Sequence, residues 1–214
     1  MRRPRPAGGP ERLTTFSDGV YAIAMTLLVL DVSVPPDLDD AGFHTALRGL
    51  VPNLGAYALS FVVLVGFWRD HHRIFRIVRQ IDSTVVTLCM FGLGVTALLP
   101  FPTTLVSEYG RDPASVAIYS AAVAALSTAH LGLLVVLRRR PWLRTEEPMP
   151  EGVWFAADLG STAVVFLLSV PAALVFGPGV MWAWLGLIPL KTYLGRRTRF
   201  PDTDTYAGAP TDRG

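Results

Sequence analysis

The segment RLTTFSDGVYAIAMTLLVLDVSV, Arg12 to Val34, reads as a membrane-spanning helix with polar residues inside it. Crossing the hydrocarbon core of a bilayer takes about 20 mostly apolar residues. Leu13 to Val34 reaches that length only if Ser17, Asp18, Thr26 and Asp31 are counted within it. An ionisable group at such a depth costs roughly 2.5–3.5 kcal/mol on insertion scales and by default faces a bundle interior or a watery path. Asp18 is therefore either a partnered group with a function or a residue at headgroup level that caps its own helix.

Composition extends the membrane assignment to the whole chain. Of 214 residues 51% are apolar and 17% charged, against about 25% charged in ordinary soluble domains. A single cysteine, Cys89, excludes an intrachain disulfide, and the four histidines have no metal-ligand spacing. No cofactor, structural metal or nucleic-acid partner is expected. Residues 1–11 are basic and rich in Pro and Gly. They lack the apolar core and small-residue cleavage site of a secretory signal, and are read as a disordered tail.

Proline and charge divide the remainder into spans. Val34-Pro35-Pro36 ends the first, since proline removes a donor and clashes within a helix, and Asp37 to Gly49 reads as an acidic loop. The second span, Asn53 to Trp68, runs on into a stretch where Arg69, Arg73, Arg76 and Arg79 recur on one helical face. A voltage sensor carries arginines every third residue inside the membrane. Here Asp70, His71 and His72 crowd the same stretch, which favours a helical extension beyond the bilayer.

Asp82 to Thr104 is the third span and Pro113 to Leu137 the fourth, with His130 inside it as either a neutral ring bonded to a neighbouring helix or a proton relay. Gly152 to Phe176 is the fifth, with Asp158 near its start and Pro171 as an expected kink. Val180 to Leu194 is the sixth. Residues 196–214 form a basic stub and a polar tail, so residues 12–195 read as one six-helix domain.

Charge sets the orientation. Placing the N-terminus, the connections after spans two and four and the C-terminus on one side gathers 17 of the 19 basic residues there, leaving Arg48 and Arg111 opposite. By the positive-inside rule both termini face the cytoplasm, in a multi-pass protein of the cell membrane.

The usual hydrolase, metalloprotease and nucleotide-binding motifs are absent from the sequence, so no enzyme activity is expected. Absent too is the T-V-G-Y-G string that builds a carbonyl potassium filter. Any ion path must use side chains. At 100° per residue Gly19, Ile23, Thr26, Leu30 and Ser33 share one sector of the first span, with Leu27 at its edge. Such a face serves close helix packing as readily as it serves a pore.

Arg12 to Gly19, R-L-T-T-F-S-D-G, resembles the R-x-x-x-F-S-D signature of the endo-lysosomal potassium channel family and its bacterial relatives. Trp68-Arg69-Asp70-His71-His72 is similar to that family's W-x-x-H segment, and Leu98-Leu99-Pro100-Phe101 to its Leu-Pro-Phe segment ending the third helix. The resemblance covers spans one to three; the bacterial members carry one six-helix repeat per subunit.

It implies an all-α, homotetrameric, potassium-selective channel lined by the first helix of each subunit. Ile23 would then form the apolar constriction, with Leu27 and Leu30 lining the next layers and Thr26 at a hydroxyl position linked to selectivity. Arg12, Phe16, Ser17 and Asp18 would be structural, tied to Trp68 and His71 at the cytoplasmic end, with His72 as a second candidate ring. No metal beyond permeating potassium is implied, and the other expected partner is the lipid bilayer. The competing expectation is a proton-coupled transporter relaying through Asp18, His71 and His130.

Overall fold

Apolar runs broken by proline leave a backbone that must satisfy its own hydrogen bonds, and in lipid only helices do so within one segment. The computed structural model describes residues 9–145 and 152–186, and all its extended elements are helical. They are α1 (Gly9–Leu27), α2 (Asp40–Gly49), α3 (Val51–Arg76), α4 (Ser83–Leu98), α5 (Pro100–Tyr109), α6 (Pro113–Arg139), α7 (Gly152–Phe176) and the short α8 (Trp182–Leu185). Five stretches among the described residues are long and apolar enough to cross a membrane: Gly9–Leu30, Asp40–Arg76, Ser83–Tyr109, Pro113–Arg139 and Phe155–Phe176. The expected sixth span is described only from Val180 to Gly186, and the rest of it lies outside the described residues, as do residues 1–8 and the C-terminal stub and tail.

Several boundaries differ from the sequence expectation. Gly9 to Glu11, assigned to the tail, form the first turn of α1. The first span leaves α-helical geometry at Leu28, continuing as a 3-10 turn over Leu28–Asp31 and ending before Pro35. The stretch assigned to an acidic loop contains α2, begun by Asp39, whose carboxylate accepts from the Gly42 amide at 2.8 Å. A side-chain acceptor at the N-cap satisfies one of the free amides of the first turn, so acidic residues read as a loop instead open a helix. The third span is broken at Leu99 because Pro100 has no N–H to continue the ladder. It resumes as α5 and reaches Tyr109, five residues beyond the expected end.

Many hydroxyls inside the spans are satisfied locally, although those of Ser107, Ser120 and Ser127 have no partner among the described residues. Thr14, Ser17, Thr87, Thr96, Thr103, Thr104, Thr128, Thr162 and Ser169 each donate to the carbonyl four residues earlier. That back-bonding lets polar residues enter an apolar bundle without an unmet donor.

The core is organised around α6, which packs against α4, α5 and α7. Its Tyr119 accepts from Ser60 of α3 at 3.1 Å, and Ser60 also meets Thr103 of α5 at 2.8 Å. Trp184 of α8 stacks on the same tyrosine and donates to Ser169, bringing the start of the expected sixth span onto the core. The turn leading to α8 needs φ of +82° at Gly177, a conformation open to glycine at little cost.

At the arginine-rich end two connections are laced together. Arg79 and Gln80 amides donate to the Leu143 carbonyl, and Thr145 donates back to Ile77. Arg140 bonds Asp82 and Thr84 at the start of α4. The Asp82 carboxyl is held below its ordinary range by the Val85 amide first, with Arg140 adding to the effect. The arginine series is thus an extension and its return: α3 ends at Arg76, Arg79 lies in the lacing, and Arg73 pairs with Asp70 at 3.5 Å and covers the Phe155 ring.

Candidate functional site on the first helix

Two faces of α1 have opposite fates. Ser17, Tyr21 and Ala24 are buried against the bundle, following the i, i+4, i+7 spacing that puts residues on one helical side. The other side carries Ile23 at 61% exposed and Leu30 at 69%, with Leu27 at 40% and Thr26 also exposed. These four residues, predicted as a pore lining, therefore lie together on the surface of the single subunit. Thr26 donates its hydroxyl proton to the Ile23 carbonyl at 2.8 Å, which leaves its oxygen free to accept. The α-to-3-10 change stretches the face: at 1.5 Å per residue to Leu27 and 2.0 Å beyond it, Ile23 to Leu30 spans about 12 Å.

The middle of α1 is fastened to α3 through Asp18. Trp68 donates its indole N–H to the carboxylate at 2.9 Å, and His72 Nε2 lies 3.2 Å from the same oxygen. His72 Nδ1 faces the Trp68 carbonyl at 3.1 Å, so the imidazole bridges backbone and carboxylate one turn apart. Trp68 and His72 are four residues apart on one helix and stack at 4.6 Å. Of the two histidines this places His72 on Asp18, while His71 points into the bundle beside Tyr21, Phe75 and His130. Asp18 is 44% exposed and His72 35%, a half-open clasp on the single subunit.

The remaining predicted members separate. Ser17 is buried, donating to Leu13 at 2.8 Å and lying 3.8 Å from the Cys89 sulfur. Arg12 and Phe16 are exposed and form none of the contacts to Asp18 among the described residues. His130 does not bond a neighbouring helix: its Nδ1 meets the Leu126 carbonyl of its own helix at 2.9 Å. Sequence named His71 and His130 together only as a possible relay with Asp18; that their rings meet, on two different helices and apart from Asp18, is decided by the packing of α3 on α6. No group of three or more metal-ligating side chains occurs among the described residues.

A family model described as endosomal/lysosomal potassium channel TMEM175 matches residues 12–100, the segment that holds Asp18, Trp68, His72 and the Leu99-Pro100 break. A Streptomyces collinus protein named as a potassium channel is 34% identical over 174 residues, covering 78% of this chain and 84% of its own. The chain belongs to the TMEM175 family.

The crystal structure of a TMEM175 homologue from Chamaesiphon minutus, described as a lysosomal potassium-selective channel homologue, is similar at a TM-score of 0.67 and 27% identity. That likeness covers 89% of this chain and 98% of the other. The mouse TMEM175, named as an endosomal/lysosomal proton channel, is 35% identical over 111 residues, 48% of this chain but 22% of its own length. Membership makes this chain a multi-pass membrane protein of all-helical architecture, in a family of channels rather than enzymes.

Proposed function

We propose that this chain is a potassium-selective channel of the cell membrane in which four copies surround one central path lined by α1. The observation that carries it is the exposed apolar stripe Ile23, Leu27 and Leu30 on a helix whose opposite side is buried. One subunit encloses no path along that stripe, so closed cyclic symmetry must complete it. The potassium-channel names of the bacterial relatives support the choice of ion.

Selection follows from what a ring of apolar side chains does to a hydrated cation. Ile23 offers no oxygen, so an ion passing it sheds part of its water without replacement. Potassium is larger than sodium at equal charge and therefore less strongly hydrated by the Born argument. A narrow apolar constriction, which can also close by dewetting, penalises sodium more. The Asp18, Trp68 and His72 clasp holds the middle of α1 against α3, and the Thr26 oxygen supplies a polar stop between apolar layers.

Flux from purified protein in liposomes, with potassium and then sodium as the only cation, tests the function. Potassium efflux that exceeds sodium efflux and does not saturate like a carrier is expected; saturating flux tied to the proton gradient would transfer the assignment to a proton-coupled transporter. Against that rival stands the placement of Asp18, which bonds Trp68 and His72 rather than joining His71 and His130. Orientation is checked by single cysteines in a Cys89→Ala background. Ala41→Cys and Arg111→Cys should label from outside intact cells, and Trp142→Cys should not, given the basic residues that gather on the inner side.

A further inference from the structure

Behind α1, on the side away from Ile23, the bundle holds a polar site with no part in the ion path. His71 of α3 and His130 of α6 are each 2% exposed, and their rings meet edge to face with centroids 5.8 Å apart. The Leu126 carbonyl can only accept, so the proton of neutral His130 sits on Nδ1 and its Nε2 is a bare acceptor. Neither His130 Nε2 nor His71 Nε2 has a hydrogen-bond partner among the described residues. Leaving a buried polar atom unmet is costly, and here two residues that line one cavity each carry an unmet ring nitrogen. Both rings line a cavity walled also by Tyr21, Cys89, Gly92 and Leu133.

The cavity volume is about 10 Å³, near the lower limit for holding a single water, which also needs two to four polar partners. Apolar cavities stay dry, whereas the lining of this one includes two histidines with unmet ring nitrogens. We propose that it is a binding site for one water molecule bridging His71 Nε2 and His130 Nε2. The water donates to His130 Nε2. It donates its other hydrogen to His71 Nε2 if that nitrogen is bare, and accepts from it if it carries the proton. A cation is disfavoured, because the cavity has no carboxylate in its lining and no room for a partial hydration shell. The bridged pair couples α3 to α6 beside Tyr21, one of the residues that α1 buries against the bundle.

Solid-state NMR of the full chain in bilayers tests the site. His130 is the only histidine preceded by alanine and His71 the only one preceded by aspartate, so paired carbonyl and nitrogen labelling assigns both without substitutions. Magnetisation transfer from water to the imidazole nitrogens of His71 and His130 is expected, with bulk exchange slower than at exposed His44 on α2. Ala129→Val, which extends into the cavity, should abolish the transfer at His130 and leave His44 unchanged. Gly92→Ala is the alternative filling variant, its added methyl meeting Ala129 Cβ at 3.4 Å. No transfer to either buried ring while His44 reports normally would overturn the site, as would transfer that persists unchanged in a folded filling variant.

Discussion

α1 and α6 are both apolar helices long enough to cross a bilayer, yet α6 buries fourteen of its 27 residues in the subunit and α1 buries three of its 19. α6 is richer in Ala, Val and Leu, while α1 carries Glu11, Arg12 and Asp18, but position adds to that difference in composition. α6 is enclosed by α4, α5 and α7, whereas α1 leans on α3 and α4 with one side and leaves the other bare. Apolarity in a membrane chain does not distinguish a core from a lining. Lipid tails are as apolar as leucine, and hydrophobicity alone drives no helix inward.

The largest expected effect lies on the enclosed helix. Leu126 is fully buried, and Leu126→Ala should destabilise the subunit by about 2–5 kcal/mol through lost packing and a residual cavity. Thermal unfolding in detergent reads that loss, and the reversal potential of whatever protein survives should stay where it was. A shifted reversal potential would show that the enclosed helix also shapes the ion path.

Ile23→Asn should reverse this pattern. Its side chain is mostly exposed in the subunit, so thermal stability should move by no more than about 0.5 kcal/mol. Potassium preference should fall about tenfold, roughly 1.4 kcal/mol of barrier difference, as an amide oxygen replaces an apolar wall. Reversal potentials under potassium and sodium gradients measure it, with the conservative Leu133→Met on α6 as the silent control. Unfolding without any change in preference would return the α1 stripe to a packing role.

A smaller effect is expected at the clasp. Removal of one partner from a buried ion pair costs roughly 3–5 kcal/mol, but Asp18 and His72 are each exposed by a third or more. Exposed pairs contribute about 0.2–1 kcal/mol. Asp18→Asn, which keeps an oxygen for the Trp68 indole, should therefore lower the yield of the assembled oligomer modestly on size exclusion and leave ion preference intact.

The smallest effect belongs to the laced connections. The folded state lowers the Asp82 carboxyl affinity for protons, chiefly through the Val85 amide. The resulting stability is present above the unfolded carboxylate value near roughly 4 and is lost as pH falls through the lower folded value. Arg140→Ala removes only the secondary part of that effect, so its melting temperature should lie slightly below the parent at neutral pH and converge with it in acid. Equal gaps at both pH values would remove the ion pair as the cause.

Membrane class, the number of long apolar runs in the described residues and the family were legible in residue order alone, because these depend on composition, length and a contiguous motif. Residue order also identified Asp18 as a group needing a partner and Ile23, Thr26, Leu27 and Leu30 as neighbours along one side. Local capping chemistry hid α2, since acidic residues that open a helix look the same as acidic residues in a loop. Only the tertiary structure decided that His72 rather than His71 reaches Asp18: adjacent residues on a helix point about 100° apart, and the packing angle of α3 selects between them. It alone brought His71 to His130, 59 residues away. It alone showed which apolar helix is covered, because coverage depends on which neighbours fold back against a helix and not only on what the helix is made of.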